Sequence, residues 1–351
     1  MAEIAGLNKH HPLYQEDLEW ILQTDGVKCL QGKRIGLTGA TGLIGLCLID
    51  ALMLYNSRGA DITIYAMGRN REKAASRLGE YFGDAHFHFL EHDARQPLTS
   101  LPEVDIIIPL ASNTHPLAYS LYPIETIDIN VKGAEAALQK ATALGATVLY
   151  PSTVEVYGNA RNEDVFTEDY TGQLNLSTSR SCYTESKRLS ESLCQSYMAE
   201  KGTSVKIARL SRVFGPTMLM SDSKASSQFI TKALNGEDIV LKSPGEQLFS
   251  YTYVADAVSA MLHILTKGED GVAYNISNEA CDVRLKDFAS LCAEWAGKEV
   301  VFQLPSISEQ KGFSIATRAI LDNSRLKQLQ WKAGYTMKDA VYRTLNILRK
   351  K

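Results

Sequence analysis

Thr153, Glu155, Tyr183 and Lys187 are the residues whose types and spacing best suit chemistry on an alcohol. Tyr183 precedes Lys187 by four positions, which puts both side chains on one face of a helix. An ammonium there lowers the pKa of the phenol, and the phenolate can take a proton from a substrate hydroxyl. Thr153 closes the apolar run Thr147-Val148-Leu149-Tyr150. From a strand tip it could bond the same hydroxyl and steady a developing oxyanion. Glu155 adds a carboxylate two residues on. The hydride that leaves such a carbon needs an acceptor.

The upstream sequence supplies a place for one. Arg34-Ile35-Gly36-Leu37-Thr38 reads as a strand, and an apolar helix follows to about Tyr55. Between them runs Gly39-Ala40-Thr41-Gly42-Leu43-Ile44-Gly45. Glycines at 39, 42 and 45 permit a tight turn, close approach to a pyrophosphate and close packing of helix on strand. The helix start at Leu43 and Ile44 offers free N–H groups to phosphates. A second strand, Ile62–Ala66, ends in Met67-Gly68-Arg69 with no carboxylate to accept bonds from an adenosine ribose. Arg69 there could pair with a 2′-phosphate, so the cofactor is NAD or NADP, with the balance towards NADP. His86–Leu90 is a third strand, followed by Asp93, placed to reach an adenine, and Ala94. Val104–Leu110 is a fourth, followed by Ala111-Ser112-Asn113, small residues beside which a nicotinamide arm could lie, with Leu110, Ala111 and Ser112 as the expected cofactor contacts.

Strand and helix continue to alternate: helix Ile124–Ala143, strand Thr147–Tyr150, the Tyr183 helix, strand Val205–Leu210. That order predicts an α/β fold with a doubly wound, Rossmann-type parallel sheet. Three regions are expected. Residues 1–32 form an extension with a short helix over Asp17–Gln23, and His10-His11-Pro12 make a surface turn. Residues 33–215 form the dinucleotide domain, with 248–266 returning to it. Residues 216–351 build mainly a smaller substrate-binding domain, in which Ser227–Asn235 and Tyr251–Leu265 read as helices and Ala273–Ile276 as a short strand.

Bulk properties exclude several classes. The net charge is −3 with dispersed basic residues, so no nucleic-acid footprint exists. No apolar run is long enough to span a membrane. No export signal pattern opens the chain, and the six cysteines lack ligand or disulfide spacing. A reducing cytoplasm and no metal site are therefore expected.

With these residues in view, the chain resembles an extended short-chain dehydrogenase/reductase of the nucleotide-sugar epimerase/dehydratase kind. Within it the resemblance is nearest to the UDP-glucuronate decarboxylases. The matching runs include Leu110-Ala111-Ser112, Tyr122-Pro123-Ile124-Glu125-Thr126, Thr153-Val154-Glu155-Val156-Tyr157-Gly158 and Arg180-Ser181-Cys182-Tyr183. They continue through Glu185-Ser186-Lys187-Arg188, Phe214-Gly215-Pro216 and Tyr253-Val254-Ala255-Asp256. The resemblance implies transient oxidation at C4 of a nucleoside-diphosphate sugar by a tightly held nicotinamide. Decarboxylation, 4-epimerisation or 4,6-dehydration could follow, and net reduction of a keto-sugar by NADPH is the alternative that Arg69 suits. It also implies a homodimer built on the Ile124 and Tyr183 helices, with Leu189, Leu193 and Tyr197 compatible, and Thr114 and Thr153 as substrate contacts.

The chain departs from the family at several of these positions. The family's aspartate for water loss is here Val154, which counts against dehydration. Its diphosphate-gripping arginine is Phe249, and the asparagine before the Phe-Gly-Pro run is Arg212. A tyrosine of the base pocket corresponds to Lys242, while Arg318 stands at the second phosphate-binding arginine. Arg212 is expected to supply the charge that Phe249 lacks.

Overall fold

The computed structural model describes residues 7–160, 165–303 and 316–349. Its main sheet has seven strands in the spatial order Ala273–Ile276, Val205–Leu210, Thr147–Thr153, Ile106–Pro109, Arg34–Thr38, Thr63–Gly68 and Phe87–Glu91. Every neighbouring pair is parallel. Parallel sheets are covered on both faces, so their inner strands are apolar runs rather than alternating ones. Ile106–Pro109, for instance, is buried at all four positions. Arg34–Thr38 sits between the strand that follows it and Ile106–Pro109, where the order of the strands reverses. A crevice therefore opens at the carboxyl ends of these two strands, which is where doubly wound sheets bind ligands.

Helix Leu43–Asn56 covers one face and is buried from Gly45 to Met53. Helices Pro123–Leu144 and Ser181–Lys201 pack on each other against the opposite face. Their outer surfaces, with the short helix Pro116–Leu121, leave Leu117, Leu121, Tyr122, Ile124, Ile127 and Leu189 exposed, Ile124 by 75%. Leu193 and Tyr197 pack instead against the core beneath.

The second half departs from expectation in two places. Ala273–Ile276 is an edge strand of the main sheet, paired with Val205–Leu210. Tyr251-Thr252-Tyr253 is not helical. It ends the strand Leu248–Tyr253, and the helix begins at Val254 and runs to Lys267. Aromatic residues and threonine favour a pleated, buried surface, and here all three are buried. This strand is the centre of a second sheet, antiparallel to Asp282–Arg284 and parallel to Arg318–Leu321 and Arg212–Phe214. All six cysteines are free and five are buried. Among the described residues no helix is long and apolar enough to cross a membrane.

The N-terminal helix covers Pro12–Leu22, five residues earlier than predicted, because Pro12 suits a first turn and the His11 ring accepts the Leu13 N–H at 3.2 Å. It packs on Leu43–Asn56 and Val254–Lys267 through polar ties as well as apolar contacts. Tyr14 donates to Asp50 at 2.6 Å, and Trp20 Nε1 to Asp256 at 3.0 Å. Asp17, wholly buried, accepts Tyr253 at 2.5 Å and Arg343 Nε at 2.8 Å. Removing one partner of a buried pair strands the other in low dielectric, at a cost of about 3 kcal/mol. Asp17→Ala is therefore expected to lower the unfolding free energy measured in urea by about 3 kcal/mol; an unchanged value refutes the clamp.

Candidate active site

The glycine loop meets the crevice with no room to spare. Gly39 has φ +69, and a Cβ on it would lie 2.7 Å from the Ala111 nitrogen and the Leu110 carbonyl carbon. A Cβ on Gly45 would lie 2.5 Å from the Gly39 oxygen. Gly42 caps helix Leu43–Asn56 without a side-chain bond, so the first N–H groups of the helix face outward. A larger residue would push loop and helix apart; as built, Gly39, Thr41, Gly42, Leu43, Ile44 and Gly45 form a cradle that fits a dinucleotide pyrophosphate. Opposite it, the Ala111 N–H donates to Thr38 Oγ1 at 3.1 Å, and Ser112 donates to Asn130 at 2.7 Å. Asn130 in turn donates to Ser186 at 2.8 Å, tying the Leu110-Ala111-Ser112 loop to the two helices behind it.

Both charged residues expected around the adenosine already have protein partners. Arg69 donates to Glu125 at 2.7 Å. Asp93, beside buried Ala94, accepts Arg95 Nε at 3.0 Å on each oxygen, and this bonding holds its carboxyl down at about 2.

Strand Thr147–Thr153 and the start of helix Ser181–Lys201 bring Thr153, Tyr183 and Lys187 together, all buried. Lys187 Nζ donates to the Pro151 carbonyl at 2.8 Å and lies 5.0 Å from the Tyr150 ring centre. Burial pushes its ammonium down to about 8, against the pull of Glu191. Tyr183 stacks on Tyr119 with ring centres 4.9 Å apart. The spacing predicted a phenol lowered by Lys187. Instead burial, then Glu155, raises it, while a bond to Thr153 and the charge of Arg180 pull it down.

Sequence reasoning assigned no role to two residues that shape this corner. Arg180 lies over the Tyr119 ring at 4.5 Å and donates through Nη2 to both Glu155 oxygens at 3.0 Å. Thr184 donates to the same carboxylate at 3.3 Å. Glu155 is thus held on the cleft wall by hydrogen bonds to Arg180, which with Tyr183 packs on the Tyr119 ring. Arg180 stood inside a matching run, three residues before Tyr183, and that position was the one available signal.

The cleft beside this cluster is lined by Val154, Glu155, Arg180, Thr184, Arg212 and Ala319, among others. Arg212 lies flat over the Phe249 ring at 3.5 Å, and its Nη1 is sealed from solvent without a partner. Arg318 sits on the strand between the lining residues Ala316 and Ala319; its buried Nε is unpartnered, with Asp282 nearby. Thr114 accepts Lys224 at 3.3 Å.

Comparison with known proteins shows the family. The sequence model of the NAD dependent epimerase/dehydratase family matches residues 35–277. UDP-glucuronic acid decarboxylase 1 of Xenopus tropicalis is 31% identical over 91% of this chain and 72% of its own length. UDP-glucuronic acid decarboxylase 5 of Arabidopsis thaliana is 36% identical over 71% of each. Among solved structures, a Thermotoga maritima UDP-glucose 4-epimerase with UDP-glucose superposes with TM-score 0.77 at 21% identity, covering 90% of this chain and 98% of that one. A Bacillus cereus UDP-glucuronic acid 4-epimerase in complex with UDP-glucuronic acid and NAD gives 0.76 at 19%, with the same coverage. At such identities the likeness concerns the fold, a Rossmann-type α/β architecture. The family match spans more than half of the chain, and the chain is an enzyme that belongs to the NAD dependent epimerase/dehydratase family.

Proposed function

We propose that the enzyme oxidises the C4 hydroxyl of a nucleoside-diphosphate sugar and, where C6 is a carboxylate, releases it as carbon dioxide. The observation that carries this reading is the convergence of Thr153, Tyr183 and Lys187 at the crevice, with Glu155 fixed beside them, in a chain whose relatives are UDP-glucuronic acid decarboxylases. When bound, the nicotinamide dinucleotide accepts hydride from C4 and later returns it. Thr153 and Tyr183 hold the C4 hydroxyl, and Tyr183 takes its proton as the ketone forms. Lys187 keeps positive charge behind the phenol, which burial otherwise holds in its neutral form. A ketone at C4 makes a C6 acid a β-keto acid. Carbon dioxide leaves with its C5–C6 bond broken, the electron pair passes into a C4–C5 enolate, and C5 gains a proton that solvent water supplies and the Glu155 carboxylate orients. Val154, apolar, offers no acid for loss of water.

The coenzyme's 2′ substituent is proposed to be a phosphate. The second strand ends at Gly68 without a carboxylate, and the Arg69–Glu125 pair is partly exposed, a kind that contributes less than about 1 kcal/mol and opens readily. A homodimer is proposed on the face where Leu117, Leu121, Tyr122, Ile124, Ile127 and Leu189 are exposed across neighbouring helices.

Incubation with UDP-glucuronate is expected to yield a product lighter by carbon dioxide; a product of unchanged mass points to epimerisation. Tyr183→Phe should slow turnover about a thousandfold while retaining its coenzyme, and full activity in that variant overturns the assigned base. Arg69→Ala should weaken NADP about tenfold and leave NAD unchanged. If the unaltered protein prefers NAD, the phosphate assignment fails. In sedimentation Ile124→Asp should shift a dimer to monomer, and a monomeric parent protein disposes of the interface.

A further inference from the structure

Arg212 is held in a way that its own neighbours do not account for. Its guanidinium lies flat over the Phe249 ring, 3.5 Å from the centre. Arg212 sits opposite Tyr251 in the parallel pairing of Arg212–Phe214 with Leu248–Tyr253, so the strand that carries the ring also fixes the arginine. Stacking satisfies the face of a guanidinium and leaves its edge to be used. At that edge, Nη1 is sealed from solvent and has no hydrogen-bond partner. A buried N–H of a charged group left unbonded is costly, so a ligand that completes it binds more tightly.

The charge around the cleft narrows what that ligand is. Glu155, Arg180 and Arg212 are its charged lining residues among those described. Arg180 commits Nη2 to both oxygens of Glu155, and these two cancel. No carboxylate among the described residues forms an ion pair with Arg212, so one positive charge is left over. Its position is equally specific. Arg212 shares the cleft wall with Glu155 and Arg180, and Arg180 stacks on Tyr119, which stacks on Tyr183. The leftover charge thus lines the same cleft as Glu155, the carboxylate fixed beside Thr153 and Tyr183. A planar, singly charged anion matches the free edge of a planar guanidinium.

We propose that Arg212 reads the carboxylate of a hexuronate, so that this site takes a nucleoside-diphosphate uronate in preference to the neutral hexose. This assignment rests on the nucleotide-sugar reading above. It places recognition of the C6 oxidation state on one side chain of the cleft wall, separate from the residues that handle the C4 hydroxyl. Phe249 acts as the platform that fixes the plane of the fork.

Binding of UDP, UDP-glucose and UDP-glucuronate by calorimetry tests it, in a Tyr183→Phe background so that turnover does not interfere. UDP-glucuronate is expected to bind about tenfold more tightly than UDP-glucose. Arg212→Gln should bring the two within about twofold while UDP affinity stays at its starting value, which also shows that the variant is folded. Equal affinity for the two sugars before the change overturns the carboxylate assignment alone. So does an Arg212→Gln variant that weakens UDP as much as UDP-glucuronate, because Arg212 then reads the diphosphate. No binding of UDP by the starting protein removes the nucleotide-sugar reading itself, and this inference with it.

Discussion

A lysine ammonium buried between a parallel sheet and a helix loses its water, and its neighbours must replace that solvation. Lys187 is the group around which this is done. The Pro151 carbonyl accepts one of its protons, and the Tyr150 ring lies beside it. Farther along its helix, Glu191 offers a compensating charge that is itself held by Arg209, through Nε at 3.0 Å and Nη2 at 2.7 Å. Arg209 then donates to Tyr157 at 2.9 Å, and Tyr157 to Asn275 at 2.6 Å. This buried network links the helix of Lys187 to strands Val205–Leu210 and Ala273–Ile276. Replacing one member leaves the next unpaired, so the charge beneath the candidate site is secured by residues from three distant parts of the chain.

Much of the fold was legible because its signals are local. Ile106–Pro109 is an apolar run, Val205–Leu210 has apolar residues at four of its six positions, and the glycine loop announces itself by position after a strand and before a helix. What could not be read was pairing over distance. Tyr251–Tyr253 merged with the apolar helix behind it, since its strand partner, Arg212–Phe214, lies some distance away in sequence. For the same reason Ala273–Ile276 gave no sign that it joins the main sheet.

The candidate site divides along the same line. Thr153, Tyr183 and Lys187 are brought together by a strand tip and one helical turn, and spacing suffices to predict that. The Tyr119–Arg180–Glu155 cluster draws on three segments, and nothing in their spacing reveals it. The expected low phenol also failed, because the number of residues between a tyrosine and a lysine carries no information about burial. Arg212 and Phe249 depart from a familiar pattern in the sequence, but that they touch follows only from two neighbouring strands.

The edge strand Ala273–Ile276 has a consequence for how the molecule comes to exist. As the chain leaves the ribosome, the six strands from Arg34–Thr38 to Val205–Leu210 appear first, and the last of them has one side open. Elements between residues 212 and 267 emerge before the strand that closes that side. The parallel edge of the nascent sheet can be paired only after those intervening elements are made, so the order of synthesis is not the order of completion.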